Sequence, residues 1–238
     1  ALFASGEQGV YSYPTNAKAS DGDFINFTDA GGTIPAGADD IVRFARDLSG
    51  NDNHFIQADV GKGYALRTDG TIWWWEADGV DDFLITAAFD MASTQASYFW
   101  AMNQRTSKSQ VIWSFGGPTA GSIDVIENSG GDIRVLSSSA GSTEIALAPI
   151  TGTNQIWSGE TDLTGSYKMR VDRGAYATKT SIDVGLLGNK QLALSDRPGG
   201  SIAGEINIYG YAITAKSASA AEVTMVEDIF ATRAGRTL

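Results

Sequence analysis

Short segments in which apolar and polar residues alternate, each closed off by glycine, set the strongest limit on what this chain can become. Tyr167, Met169 and Val171 alternate with Lys168, Arg170 and Asp172, the period of two that gives a strand one dry face. Ile133 and Val135 alternate with Asp132 and Arg134 just after Gly130-Gly131, and Ile202, Ile206 and Ile208 share one parity against Glu205 and Asn207. Gly210 interrupts the last of these runs and reads as a bulge. With 28 Gly spread through 238 residues, the pattern is many short strands joined by glycine turns, as in a sandwich or jelly roll.

One segment reads as a helix, and it is at the C-terminal end. Ser219 and Glu222 have the spacing of a capping box, in which hydroxyl and carboxylate each satisfy a free backbone amide. Val223, Val226, Ile229 and Phe230 then form an apolar stripe, and Gly235 is the expected stop. The stretch from Asp39 to Asp47 has room for a second, shorter helix. Before residue 60 the chain is glycine-rich and polar (DAGGTIPAGADD) with little alternation. Residues 1–60 are therefore expected to wrap as an arm with a few strands, packed on a sandwich formed by residues 61–238, and not as an independent domain. No repeat with a period of roughly 20–50 residues is visible.

Composition removes several function classes. With 17 Lys and Arg against 28 Asp and Glu, the formal charge is -11, which repels phosphate backbones and anionic headgroups and argues against nucleic-acid or membrane binding. No apolar run approaches the about 20 residues of a membrane span. The start, ALFASGEQG, lacks the basic residues and apolar core of a signal peptide. There are 0 Cys, so there is no disulfide framework and no thiolate nucleophile or ligand.

Two internal motifs are more specific. Asp47-Leu48-Ser49-Gly50-Asn51-Asp52-Asn53-His54 resembles the D-x-SG-N-x-NH signature of laminin-G-like, concanavalin A-like jelly rolls. Asp78-Gly79-Val80-Asp81-Asp82-Phe83-Leu84 resembles the DG-x-DD-aromatic-Leu turn of the same family. Phe89 onward is similar to the strand after that turn, Ile112 to Gly116 to the strand that ends in Phe-Gly, and Leu192 to Thr214 to the closing strands. Gly204-Glu205-Ile206-Asn207-Ile208-Tyr209 is a shortened form of the family's G-x-I-x-E-I-x-I-Y pattern, and Ser219 to Gly235 resembles the terminal helix. The resemblance implies an all-β, concanavalin A-like (laminin-G-like) jelly-roll sandwich of two antiparallel sheets with a short C-terminal helix. The opening, Leu2 to Tyr11, and the segment Leu66 to Thr71 resemble jelly-roll proteins of tailed bacteriophages and prophages. Ser12-Tyr13-Pro14-Thr15-Asn16 stands where those proteins carry YDPSD.

The candidate binding residues lie in and beside these motifs. On a strand, Trp73 and Trp75 share a face and Trp74 takes the other. Trp73 and Trp75 are expected in the core, with Trp100, Trp113 and Trp157, while Trp74 faces outward to stack on a sugar ring or a partner subunit. Asp78, Asp81 and Asp82 offer hard oxygens to Ca²⁺, but Asp-Gly is also a favoured tight-turn pair. Three carboxylates are too few for a full cage, so the turn is the reading preferred and Ca²⁺ the candidate cofactor. Asn51 and Asn53 join Trp74, Asp78 and Asp81 as the rim expected to meet a ligand. His54, the sole histidine, reads as structural.

Catalysis is not expected. Laminarinase-type jelly rolls carry an E-x-D-x-(x)-E set on one strand face for retaining hydrolysis. Glu76-Ala77-Asp78 and Glu160-Thr161-Asp162 each begin that pattern without a third glutamate. No phosphate-binding loop, nucleophile elbow or metalloprotease His pair is present. The leading expectation is a non-enzymatic bacteriophage virion protein, a capsid decoration or tail component assembled in the host cytoplasm. Its partners would be other virion proteins, copies of itself in a trimer, and a host-surface glycan. The alternative is a carbohydrate-binding module or lectin of a bacterial surface or secreted protein; a polysaccharide-degrading enzyme is the third reading.

Overall fold

The structure, a computed structural model, describes residues 2–117, 122–128, 132–136, 147, 151–162, 166–180, 187–197 and 203–238. Two large sheets face each other, and every strand pairing within them is antiparallel. The first runs in spatial order Ala177–Thr180, Ser166–Val171, Asn154–Asp162, Gln95–Gln104, Ile206–Thr214, Trp73–Glu76, Tyr64–Thr68 and Ile41–Val42. The long strand Ile206–Thr214 shares its second edge between Trp73–Glu76 and the opening strand Gly9–Ser12. The second sheet runs Ile133–Leu136, Ile123–Glu127, Gln110–Phe115, Leu192–Leu194, Leu84–Thr86, Phe55–Ile56, Phe44–Ala45 and Asn26–Phe27. Phe89–Ser93 and Leu187–Lys190 form a separate pair. The jelly-roll sandwich expected from the alternation is the fold observed.

The first 60 residues are woven into both sheets. They supply Gly9–Ser12 and Ile41–Val42 to one and Asn26–Phe27, Phe44–Ala45 and Phe55–Ile56 to the other. No helix forms between Asp39 and Asp47. Asp39 takes φ +66, outside the right-handed helical region, and Ile41–Val42 and Phe44–Ala45 pair with different sheets.

Alternation builds the core as expected. Tyr167 and Met169, Ile133 and Val135, and Ile206 and Ile208 are buried, and Val171 is half-buried against the core; Ile202 and Gly130-Gly131 lie outside the described residues. The expected bulge falls beside Gly210: Ala101 pairs with Gly210 and Met102 with Ile208, leaving Tyr209 as the extra residue. Between the sheets, Trp100 and Trp157 stack at 5.6 Å and Trp113 meets Trp100 edge-on at 6.0 Å. Such offset and edge arrangements suit the ring quadrupoles.

The helix, Ala220–Arg233, begins at Ser219 with both halves of the capping box formed, and Gly235 follows it at φ +68. It lies on the outer face of the first sheet, where Val223, Val226, Phe230 and Ala231 close a second apolar cluster over Phe99, Ile156, Tyr209 and Ala212. Gly210 lets the helix approach, since a Cβ there would stand 2.7 Å from the Phe230 ring. Ile229 leaves the expected stripe and is 37% exposed, and Glu227 is buried instead. Among the described residues no helix is long and apolar enough to cross a membrane.

Candidate functional site

The Asp47–His54 loop is a clamp on the opening strand. The Asp47 carboxylate accepts from the backbone N–H of Tyr11, Ser49 and Asn53 and from the Ser49 hydroxyl, at 2.7–3.0 Å. The side-chain amides of Asn51 and Asn53 donate to the Gly9 carbonyl at 3.3 and 2.8 Å, and Asn51 also to that of Glu7 at 3.0 Å. Placed on the rim by sequence, both asparagines direct their donor groups into the fold. A Cβ on Gly9 would stand 2.0 Å from the Ile213 carbonyl oxygen, so strand and clamp close on a backbone that admits no side chain there.

The Asp78–Asp82 segment forms a tight turn. Gly79 takes φ +78. Asp78 accepts the Val80 N–H at 2.8 Å, and Asp82 accepts the Asp78 N–H at 2.9 Å. Oxygens of Asp78, Asp81 and Asp82 lie within 4.8 Å of one another. Burial, opposed by the Asp78 N–H, pushes the Asp82 carboxyl up to about 6, because the low-dielectric site disfavours its charged form. Lys62 stands 3.9 Å from Asp81, and Lys108 donates to the Gly79 carbonyl at 3.1 Å.

The three tryptophans divide between three environments. Trp75 is fully buried and donates its indole N–H to Asn26 at 2.7 Å. Trp74 takes the opposite face, as its parity requires, but that face is roofed: the ring packs against the cluster beneath the helix, 6.3 Å from Tyr209. Its Nε1 is enclosed without a hydrogen bond. It is not the free platform expected of it. Trp73 packs half-buried against the main core cluster, on the side its parity with Trp75 requires, and is among the residues lining a 380 Å³ pocket at the sandwich rim with Thr15, Thr71, Ile229, Thr232 and Arg233.

Three remote segments build that pocket. Asp69 fixes one wall by accepting the N–H groups of Thr71 and Ile72 at 2.8 and 2.9 Å, while Gly70 turns at φ +94. These same N–H groups hold the Asp69 carboxyl below its usual range, Ile72 contributing most. The last helical turn brings Thr232 and Arg233, and Arg233 stacks over the Tyr13 ring. The segment after the opening strand adds Pro14 and Thr15. The result is a cavity lined by Trp73, threonines and Arg233, within the roughly 300–1,000 Å³ typical of small-ligand sites. Apart from the Asp-Gly-Thr turn, nothing local in the sequence marks these residues.

The carboxylates of the incomplete glycosidase patterns are engaged elsewhere. Glu76 pairs with Arg67 at 3.3 Å, and Glu160 with Lys168 at 3.1 Å and the Ser217 hydroxyl at 3.0 Å.

No family model matches this sequence, and no curated protein matches it. Among solved structures, the ligand-binding domain of botulinum neurotoxin serotype D, in complex with N-acetylneuraminic acid, is similar with a TM-score of 0.60 at 10% identity, over 92% of this chain and 50% of that one. A Trypanosoma rangeli sialidase in complex with a difluoro-KDN compound gives 0.61 at 8% identity, over 95% of this chain and 33% of that one. Domain 4 of AbnA, a GH43 extracellular arabinanase from Geobacillus stearothermophilus, in complex with arabinotriose, gives 0.59 at 18% identity, over 76% of this chain and 91% of that one. The chain thus spans half the length of the toxin domain and a third of the sialidase. At these identities the likeness establishes a shared β-sandwich fold, and function must be argued from the site.

Proposed function

We propose that this chain is a carbohydrate-binding module, acting by recognition and without bond-breaking chemistry, and that the rim pocket at Trp73 holds the sugar. The observation that carries the reading is the rim cavity itself, where Trp73, half-buried against the core, lies beside Thr15, Thr71, Thr232 and Arg233. A pyranose or furanose ring presents apolar C–H groups on its face and hydroxyls at its edge. An amphipathic aromatic surface ringed by short polar side chains complements both. The sugar-bound toxin and arabinanase domains support the reading, because they carry such ligands on the same fold.

The test is a glycan array followed by titration of tryptophan fluorescence with the best binder. Saturable binding that Trp73→Ala weakens at least about tenfold is expected. No binding across the array, or cleavage of any polysaccharide on it, would overturn the proposal.

A virion setting for the module is proposed on a separate observation. The opening segment and the Asp47–His54 loop, two of the phage-like or jelly-roll motifs, are bonded to each other through Gly9, Asn51 and Asn53, which gives their joint occurrence a physical basis. In this reading the chain assembles as a trimer on the particle and meets host-surface glycan. Mass spectrometry of purified particles, and native mass of the isolated protein, decide it: absence from particles removes the setting and leaves the module.

A further inference from the structure

A second depression lies on the outer face of the second sheet, at the edge farthest from Ile133–Leu136. Alternation fixes its floor. Ala45 and Phe55 point into the core, so Phe44 and His54 point away from it. Asn26 turns inward to bond Trp75, so Phe27 also points outward. The rings meet there, Phe27 with Phe44 at 5.5 Å and Phe44 with His54 at 4.9 Å.

Two loops wall the floor. The first is closed by the bridge between Lys18 and Phe24, and its Asp21 and Asp23 hold Arg46 at 2.7 and 3.6 Å. The second is set by Asp29, which accepts the N–H groups of Thr33 and Ile34 at 2.9 and 2.7 Å. Gly32, at φ +68, passes so close that a Cβ would stand 3.1 Å from the Phe44 ring. The enclosed space is 340 Å³.

Donors and acceptors are interleaved around it. The Asp47 N–H donates to His54 Nδ1 at 3.0 Å, so in the neutral imidazole the proton sits on Nε2. Arg46 Nη1 is enclosed, 3.6 Å from Asp23, so Arg46 contributes its charge to the wall and not a free donor. Lys18 lies over the Phe24 ring at 5.1 Å and pairs with no carboxylate among the described residues. The Asp23 carboxylate, on the Arg46 side, is 74% exposed and offers acceptor oxygens. Two cations, Lys18 and Arg46, stand among four carboxylates, Asp21, Asp23, Asp29 and Asp52, the last 3.9 Å from His54 Nε2. With no positive excess the depression does not favour an anion. Hydroxyl groups, which both donate and accept, match the mixed edge, and the Phe44 and Phe24 rings match an apolar ring face.

We infer that this depression is a second carbohydrate site, taking an uncharged sugar residue and independent of the Trp73 pocket. It adds a site to the proposed function and does not depend on where the first one lies. A chain with two sites gains avidity on a surface that presents many copies of the sugar.

The sole histidine makes the site separately observable. Proton–carbon NMR spectra follow the His54 ring and Trp73 indole while gluco-, manno-, galacto- and arabino-oligosaccharides are added at fixed pH, with oligogalacturonate as the charged comparison. The His54 signals are expected to shift and saturate with an uncharged probe, in the wild type and equally in Trp73→Ala. In Phe44→Ala the midpoint rises at least about tenfold; if that variant disturbs the sheet edge, Lys18→Ala, an exposed change, carries the same comparison. Movement of Trp73 with His54 silent overturns the second site and leaves the proposed function standing. A response to oligogalacturonate alone overturns the uncharged class. Silence of both residues with every probe overturns both proposals.

Discussion

The carboxylate of Glu227 on the C-terminal helix receives two parallel hydrogen bonds from the guanidinium of Arg170 on the sheet beneath, each at 2.9 Å. Ser158 donates to it at 2.6 Å and Arg173 at 3.2 Å. Glu227 is 1% exposed, so Glu227→Ala would remove the carboxylate that balances Arg170 and Arg173 and leave Ser158 and Arg170 only their mutual contact at 3.3 Å. Losing one member of such a pair costs about 3 kcal/mol or more. The urea midpoint is expected to fall accordingly, and a loss under about 1 kcal/mol would show that the helix is held by its apolar face alone.

Asp47 plays the corresponding part for the opening strand. Asp47→Ala removes the acceptor of four donors, from Tyr11, Ser49 twice and Asn53. Each donor left unsatisfied in a half-buried site costs about 1 kcal/mol or more. Hydrogen exchange at the Tyr11 amide is expected to rise at least about tenfold, the equivalent of about 1.4 kcal/mol, while the Trp157 amide in the core keeps its protection. Unchanged exchange at Tyr11 would mean that pairing with Ala212 suffices to hold the strand.

These two anchors show what a linear sequence carries and what it hides. The capping box at Ser219 and Glu222 and the alternation around Tyr167 and Met169 are local, and both were legible. The face taken by Trp74 was legible too, but not what covers it, because the roof is a helix about 150 residues on. Ile41, Val42, Phe44 and Ala45 fit a short helix or two short strands equally well by spacing, and only pairing with two different sheets decides between them. Asn51 and Asn53 have the chemistry of a ligand loop and of a clamp alike. The Trp73 pocket needed three segments brought together, and periodicity says nothing about that.

The acidic turn gives a pH dependence with a definite sign. Asp82 has a folded-state value of about 6 against an ordinary 3.8, so the folded chain holds this proton more tightly than the unfolded one. Its stabilising contribution is complete below pH 3.8 and is lost as pH rises through about 6. Asp82→Asn keeps an oxygen for the Asp78 N–H and removes the charge. Relative to wild type it is expected to gain stability between these values, reaching on the order of 2 kcal/mol above neutrality. Paired denaturation series across pH check this, and a difference that stays flat would place the Asp82 carboxyl in the ordinary range.

Calcium is expected to leave the same turn unmoved. The ion asks for about six or more oxygens, whereas Asp78 and Asp82 already accept backbone N–H groups and Lys62 stands beside Asp81. Millimolar Ca²⁺ should therefore leave Tm unchanged, as should a chelator. A rise of several degrees with Ca²⁺ would show that the three carboxylates find further ligands.

Neighbouring tryptophans should separate stability from recognition. Trp74 packs beneath the helix beside Tyr209, with its Nε1 enclosed. Full removal of a buried indole costs about 3–5 kcal/mol, and for this half-buried ring Trp74→Ala is expected to cost about 2 kcal/mol while leaving sugar affinity within about twofold. Trp73 lines the rim pocket, so Trp73→Ala should reverse the pattern, with a smaller loss of stability and a large loss of binding. Chemical denaturation and fluorescence titration of both variants make the comparison. If Trp74→Ala abolishes binding in a folded protein while Trp73→Ala does not, the sugar lies under the helix and the rim pocket is only a gap in the surface.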